Sequence, residues 1–288
     1  MGTSASSSGP NNSSPLIPPW AEESDPLELI PSDGGGVPES EEGGDSSDES
    51  LEIDNGSVQD LIPGPKIQTL PGKRLAGARR AFGDYAKSGG GSNDLRRALK
   101  KYSTSSKGGG SSMARKLAGG ITAGTALFSL VSGDSVKAQN RTLNLSDLSG
   151  LSIDQAIDRI SEHLCPDASD SDQIRIAIDY ALTEALEDQE EFDEGMFNPD
   201  LVGDVVANYL TDLVFQEVLN DMGEAWLHAE THLKQLDMET ELRELVKVVT
   251  ETQLHDITGG NYSVMTRDTI TKIQIDVIAK TIEEWESY

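Results

Sequence analysis

The sequence lacks the features of several common classes of protein. Its 288 residues include one cysteine, Cys165, so it has no internal disulfide framework and fits a reducing compartment. No window reaches the roughly 20 apolar residues that span a bilayer. The nearest, residues 117–131, is short and interrupted by Gly, Ser and Thr. The N-terminus shows no basic segment followed by an apolar run, which argues against a secretory signal. We therefore expect a cytoplasmic protein.

Lysine and arginine are missing from the first 65 residues, which contain fourteen Asp and Glu. Serine, glycine and proline make up most of the remainder. Such a composition buries too little apolar surface to offset the loss of backbone entropy, about 1–2 kcal/mol per residue. We predict that residues 1–70 form a disordered acidic tail.

Charge divides the rest of the chain. Residues 66–116 hold thirteen Lys and Arg against two Asp, a net charge of +11, although the whole chain carries −27. From residue 142 onward, thirty-three acids face eight bases. Repulsion from phosphate works against nucleic acid or an anionic membrane as a partner of this acidic part. Only the basic segment is suited to a polyanionic partner.

The basic segment, residues 71–140, has the pattern of short amphipathic helices joined by glycine-rich hinges. Apolar residues recur at three- and four-residue steps in three units: Leu75, Ala78, Phe82, Tyr85 and Ala86; then Leu95, Ala98, Leu99 and Tyr102; then Met113, Leu117 and Ile121. Ser92 is a candidate cap of the second helix, and Ser111 or Ser112 of the third. Each helix is too short to be stable alone in water, so we expect the three to fold against something.

Three partners suit these basic helices. Nucleic acid is one, with Phe82, Tyr85 and Tyr102 interleaved among the cations. An acidic protein is the second. The third, which we favour, is the chain's own acidic flanks. The candidate residues for contact with phosphate or with an acidic partner are Arg79, Arg80, Arg96, Arg97, Lys100 and Lys101.

Residues 141–288 are predicted to form an acidic helical bundle, so the fold class is all-α. Ser152 with Gln155 reads as a capping box, and Asn198 followed by Pro199 as a helix start. Several apolar stripes follow at helical spacing, and no alternating strand pattern competes. Before this bundle, Gly120 and Gly124 stand at the spacing that lets two helices approach closely.

No motif for catalysis, metal or cofactor binding stands out. His228 and His232 are four residues apart but lack the H-E-x-x-H order and a third ligand. His163 and Cys165, two apart on a helix, should point in different directions. There is no glycine-rich phosphate loop and no EF-hand spacing. We predict a non-enzymatic protein without metal or cofactor.

The start of the chain offers a different kind of site. A small second residue favours removal of Met1, which leaves the α-amine of Gly2 free. Gly2 and Ser6 also match the N-myristoylation pattern. Within the tail, residues 15–20 (PLIPPW) form an apolar, proline-rich patch. We predict Leu16, Ile17 and Trp20 as anchors for a partner's groove, the alternative being a solvated linker.

Several of these stretches together resemble the QatB-like proteins of the bacterial Qat anti-phage system. The likeness is carried by residues 1–4 (MGTS), 15–20 (PLIPPW), 78–102 (opening with ARRAF), 108–115 and 163–166 (HLCP). It covers the tail, the basic segment and the start of the helical bundle, and it is loose beyond about Asp172.

The resemblance implies a non-enzymatic adaptor subunit working beside an ATPase (QatA), a QueC-like enzyme (QatC) and a TatD-like nuclease (QatD). QueC-like enzymes handle 7-deazaguanine chemistry, and related defence systems attach such a base to the N-terminal glycine of a partner protein. In this chain only Gly2 qualifies as the acceptor, and in a bacterium myristoylation is not expected. The alternative is a nucleic-acid-binding subunit that uses the basic segment.

Overall fold

The computed structural model describes residues 51–52, 75–88, 91–105, 109–138, 140–165, 170–187 and 189–288. The predictions for Gly2, Leu16, Ile17 and Trp20 fall outside these residues. All described residues belong to one unit that begins at Asp48.

Helices account for most of the described residues, which confirms the predicted all-α class. The nine α-helices in this part of the chain are α1 (Ala76–Ser88), α2 (Ser92–Ser105), α3 (Gly109–Lys116), α4 (Ala118–Val131), α5 (Ile153–Leu164), α6 (Ser171–Ala185), α7 (Pro199–Met222), α8 (His232–Thr258) and α9 (Ile270–Ser287). Short 3₁₀ helices lie at Leu145–Leu148, Glu194–Met196, Gly223–His228 and Tyr262–Val264.

Helix α7 is the central element. Its own apolar residues occupy all sides of the helix, which is typical of a helix enclosed by others. It packs against α4, α6 and α8. Its start follows the predicted signal: the side chain of Asn198 accepts hydrogen bonds from the N–H groups of Asp200 and Leu201, and Pro199 occupies the first turn.

Helix α4 lies close to α7 and α9 because it presents glycine where they touch. A methyl group on Gly120 would come within 2.6 Å of the Leu213 side chain, and one on Gly124 would overlap the ring of Tyr209 and the amide of Gln274. The close approach predicted for these two glycines is therefore realised in a packed helix. Among the described residues, no helix is both long and apolar enough to cross a membrane.

The basic helices share one hydrophobic core with the acidic bundle. Helix α1 buries Phe82 against Trp226, with ring centroids 5.9 Å apart, and α2 places Tyr102 near Trp285, at 6.3 Å. The division at residue 140, which charge and composition predict, stays a prediction. Helices on both sides of that point contribute to the same core.

Three details differ from the sequence analysis. The third basic unit is two helices, α3 and α4, separated at Leu117, and α3 begins at Gly109. Since the helix begins at Gly109, whose φ of 51° glycine tolerates, Ser111 and Ser112 lie inside it and are not its caps. Leu233 and Leu236 belong to α8 as predicted but are exposed, because the first turns of α8 extend beyond the core.

A small sheet was not predicted. Strands β2 (Val136–Ala138) and β3 (Arg141–Leu143) pair antiparallel, with Val136 opposite Leu143, and the backbone of β1 (Leu51–Glu52) runs parallel to β2. Between β2 and β3, Asn140 has a φ of 62°, a left-handed conformation that asparagine tolerates. Strands of two or three residues are too short to show the alternation that predicts a strand.

Candidate partner-binding face

The cations of the basic helices separate into an inner and an outer set. An α-helix turns by about 100° per residue, so side chains near the apolar stripe point toward neighbouring helices and the others toward solvent. Arg79 and Lys116 belong to the inner set and contact α7. The other cations of α1 and α2 are exposed and make no bond to α7, and we call them the outer basic face: Arg80, Lys87, Arg96, Arg97, Lys100 and Lys101.

Asp221, near the end of α7, gathers the inner set. Its carboxylate lies 2.6 Å from Nζ of Lys116 and accepts a hydrogen bond of 2.8 Å from the hydroxyl of Tyr102. Nε of Arg79 donates to its backbone carbonyl oxygen, also at 2.8 Å. One residue thus binds side chains from α1, α2 and α3.

Glu217, one turn earlier on α7, forms a second ion pair with Lys116. Burial raises the pKa of Glu217, and the ammonium of Lys116 offsets part of that rise. Burial by itself lowers the pKa of Lys116, but the carboxylates of Glu217 and Asp221 outweigh it, so this pKa is raised. The ion pairs of Lys116 with Glu217 and Asp221 thus connect the end of α3 to α7.

Tyr85 makes the corresponding link from α1 to α8. Its hydroxyl donates to the carboxylate of Glu241 at 2.7 Å, and its pKa is raised by burial first and by Glu241 second. Together with the bonds to Asp221, this contact bears out the interpretation that we favoured for the basic helices. They fold against the chain's own acidic helices.

The outer basic face is arranged differently, because its cations are exposed. On α2, Arg97 forms an ion pair with Asp94 at 3.2 Å, and the guanidinium of Arg96 lies 5.4 Å from the ring centre of Tyr288. Lys100 and Lys101, one turn further along, have no ion-pair partner among the described residues.

Helix α1 adds two exposed cations to this face, Arg80 and Lys87. Seven residues apart, they lie on the same side of α1, and within the described part of the chain neither forms an ion pair. The sequence analysis included Arg80 but not Lys87, which its spacing from Arg80 was enough to reveal. Of the predicted contact residues, Arg79 is also exposed but is the one that bonds to α7.

The aromatic residues proposed to interleave with nucleic acid are buried. Phe82, Tyr85 and Tyr102 are at most 2% exposed, because they lie on the apolar stripes that pack α1 and α2 into the core. Stacking on bases by these three side chains is therefore excluded in this fold. Contact of the outer basic face with phosphate stays a prediction.

A second buried ion pair holds α7 to α8. Arg243 pairs with Asp212, whose side chain is fully buried, and its guanidinium lies 4.1 Å from the ring centre of Phe215 and 4.4 Å from that of Tyr180. Burial raises the pKa of Asp212 and Arg243 offsets part of the rise. The sequence carried no signal for this pair, since its partners are on different helices.

The histidines and the cysteine make internal contacts. Nε2 of His163 donates to the carbonyl oxygen of Val136 at 2.9 Å, whereas Sγ of Cys165 donates to that of Ser171 at 3.2 Å. They engage different elements and form no thiol–imidazole pair. The sulfur contact fits the structural role expected of Cys165.

His228 and His232, four residues apart in the sequence, do not lie on one helix. His228 ends a 3₁₀ helix and contacts Gly83 of α1, whereas His232 begins α8 after an extended connection. Across the part of the chain that the structure describes, no group of three or more His, Cys, Asp or Glu is placed to hold a metal ion.

These features define the class of the protein: an all-helical fold in which some charged side chains bond one helix to another and those of the outer basic face are exposed to solvent. Residues 108–285 match the family described as Qat anti-phage system associated protein QatB, and the chain belongs to this family. It is therefore a subunit of an anti-phage defence system that has several subunits. Comparison with curated proteins and with solved structures gave no match.

Proposed function

We propose that this chain is the non-enzymatic adaptor of a Qat anti-phage complex and that it presents Gly2 to a QueC-like partner enzyme. The α-amine of Gly2 attacks an activated form of a 7-deazaguanine base held by the enzyme, the activating group departs, and the amine loses a proton as the new bond forms. The helical body joins the complex, and the acidic tail carries the amine to the enzyme. An ATPase and a TatD-like nuclease complete the set of partners.

The observation that carries this proposal is the family match over residues 108–285, which includes α3 to α9 and therefore most of the helical body. Within that body, buried carboxylates are paired with cations of other helices, as with Lys116 and Arg243. Such bonds support a scaffold.

The chemistry of the acceptor supports Gly2. An α-amine has a pKa near 7.7–8.0, about two to three units below that of a lysine, so much more of it is unprotonated and nucleophilic at neutral pH. Glycine has no side chain to obstruct an enzyme that must enclose the amine. Residues 3–50, rich in Ser, Gly and Pro, are suited by composition to act as a long connection.

Mass spectrometry tests this function directly. The protein, co-expressed with the QueC-like partner, should gain the mass of the modifying group on its N-terminal peptide. Gly2→Leu should abolish the gain, because a large second residue retains Met1. The matched control Thr3→Leu places the same side chain one residue later and should keep it. An unshifted N-terminal peptide in the co-expressed wild-type protein would contradict the proposal.

A nucleic-acid-binding subunit is the alternative function. The exposure of Arg96, Arg97, Lys100 and Lys101 favours it, and the burial of the nearby aromatic residues weakens it. The acidic remainder of the chain also opposes a long polyanion. We therefore keep the adaptor as the function that the observations support best.

A further inference from the structure

The outer basic face combines strong local charge with a lack of neutralising partners. The chain carries −27 in total, yet α1 and α2 together hold seven cations and two acids. Only one of the seven, Arg79, is used to attach these helices to α7. Concentrated like charge on a folded surface is repulsive, and an anionic ligand relieves that repulsion.

The positions of the cations on α2 are the strongest part of the pattern. Arg96, Arg97, Lys100 and Lys101 cover the side of the helix opposite its buried stripe, and each is exposed. Removal of all four would leave the apolar stripe of α2 intact. Their arrangement is therefore not required by the packing of α2.

The two helices that pack against α2 both expose acidic residues, and α1 also exposes the cations Arg80 and Lys87. Helix α2 packs between α1, which exposes Asp84, and α9, which exposes Glu283 and Glu284. Glu284 acts on the same phenol as Arg96: burial and then Glu284 raise the pKa of Tyr288, whereas Arg96 lowers it. The four cations of α2 by themselves form a strip about as wide as one helix, roughly 10–12 Å.

A single extended polypeptide fits such a strip better than a double helix does. The phosphate strands that border a major groove stand about 12 Å apart, so a duplex lying along α2 would reach beyond that helix toward α9, which exposes Glu283 and Glu284. Neighbouring extended polypeptide chains are less than 5 Å apart, so one chain fits within the strip. The fourteen residues of α2 span about 20 Å, the length of about six extended residues.

We propose that the outer basic face binds an acidic, extended segment of a partner protein, about six residues long and rich in Asp and Glu. The partner is another subunit of the defence complex. Charge complementarity with α2 carries the inference, which is independent of whether Gly2 is modified. Such exposed ion pairs give a weak contact that salt suppresses, and this suits reversible assembly.

Fluorescence anisotropy of the full-length protein with a labelled octa-glutamate peptide tests the proposal. We expect binding at 50 mM NaCl that weakens strongly by 500 mM. The triple variant Arg80→Glu, Lys100→Glu, Lys101→Glu should weaken binding roughly tenfold or more, since three attractive contacts become repulsive. It leaves the Arg97–Asp94 ion pair and the Arg96–Tyr288 contact in place.

The matched control is Arg159→Glu, Arg175→Glu, Lys272→Glu, which changes the net charge by the same amount at exposed positions outside the face. It should alter affinity by less than about twofold at 150 mM salt, because distant charges are screened. Circular dichroism checks that both variants remain folded.

Several outcomes would overturn the proposal. One is equal loss of binding in the two triple variants, which would show only an effect of net charge. Another is absence of peptide binding at 50 mM NaCl, as expected if the chain's own acidic residues occupied the face. The third is tighter binding of a labelled 20-base-pair duplex than of the peptide, together with loss of that duplex binding in the Arg80, Lys100 and Lys101 variant. This result would show that the face binds nucleic acid.

Discussion

Tyr209, buried in α7, donates its hydroxyl to the backbone carbonyl of Gly120 in α4 at 2.6 Å. The contact requires a close approach of the two helices, which the absence of a side chain at Gly120 and Gly124 allows. The phenol thereby satisfies its hydrogen bond inside the core, where an unpaired hydroxyl would cost about 1–3 kcal/mol.

Gly124→Ala should destabilise the protein. Its new methyl group would meet the Tyr209 ring at 2.5 Å and the Gln274 amide, so helices α4, α7 and α9 would have to separate. We expect a loss of about 1–3 kcal/mol in the free energy of unfolding, measured by chemical denaturation. Gly77→Ala is the control: Gly77 is exposed near the start of α1 with no atom near its added methyl, and this change should be neutral or slightly stabilising.

Lys116→Met should weaken the attachment of α3 to α7. The substitution keeps the aliphatic part of the side chain but leaves Glu217 and Asp221 without their cation. Since Lys116 is 43% exposed, we expect a loss of about 1–3 kcal/mol, less than for a fully buried pair. Lys87→Met removes an exposed lysine that makes no ion pair within the described residues and should change stability by less than about 0.5 kcal/mol. Equal effects of the two substitutions would contradict the role given to Lys116.

The pair formed by Asp212 and Arg243 should be visible in a double-mutant cycle. Arg243→Met leaves a buried carboxylate without its counter-ion and should cost about 3 kcal/mol at neutral pH. The same substitution in an Asp212→Asn background should cost at least about 1 kcal/mol less, because no charge is then stranded. Additive losses would mean that the two side chains do not interact.

The stability lost in the Arg243→Met variant should also depend on pH. In the folded protein the pKa of Asp212 lies above its ordinary value of 3.8, and loss of Arg243 should raise it further. A carboxyl group whose pKa is higher in the folded than in the unfolded protein stabilises the fold at pH values below the unfolded pKa. This stabilisation is lost as the pH rises through the folded pKa. The gap in unfolding free energy between wild type and Arg243→Met should therefore narrow as the pH falls toward 4. A constant gap from pH 7 to pH 4 would contradict this assignment.

Local signals explain which parts of the fold were predictable. The Ser152 side chain accepts a hydrogen bond from the N–H of Gln155, as the spacing predicted, because a capping side chain and the N–H that donates to it lie within one turn. Asp221 bonds to Tyr102, which is 119 positions away, and no local pattern indicates which distant helix a charge will meet. The apolar stripes thus predicted the helices, whereas the contacts that orient the outer basic face required the structure.

The last prediction concerns the tail, outside the described residues. If Leu16, Ile17 and Trp20 anchor the tail in a partner's groove, Trp20→Ala should reduce the yield of modified Gly2 on co-expression with the QueC-like partner. Burial of a tryptophan provides much of the energy of such motifs, and its truncation commonly costs 2 kcal/mol or more, about a thirtyfold loss of affinity. Val37→Ala truncates another apolar tail residue outside the PLIPPW patch and should leave the yield unchanged. Quantitative mass spectrometry of the N-terminal peptide at limiting enzyme distinguishes the two variants. Equal yields for both would show that the patch is a linker, whereas loss in both would point to the tail as a whole.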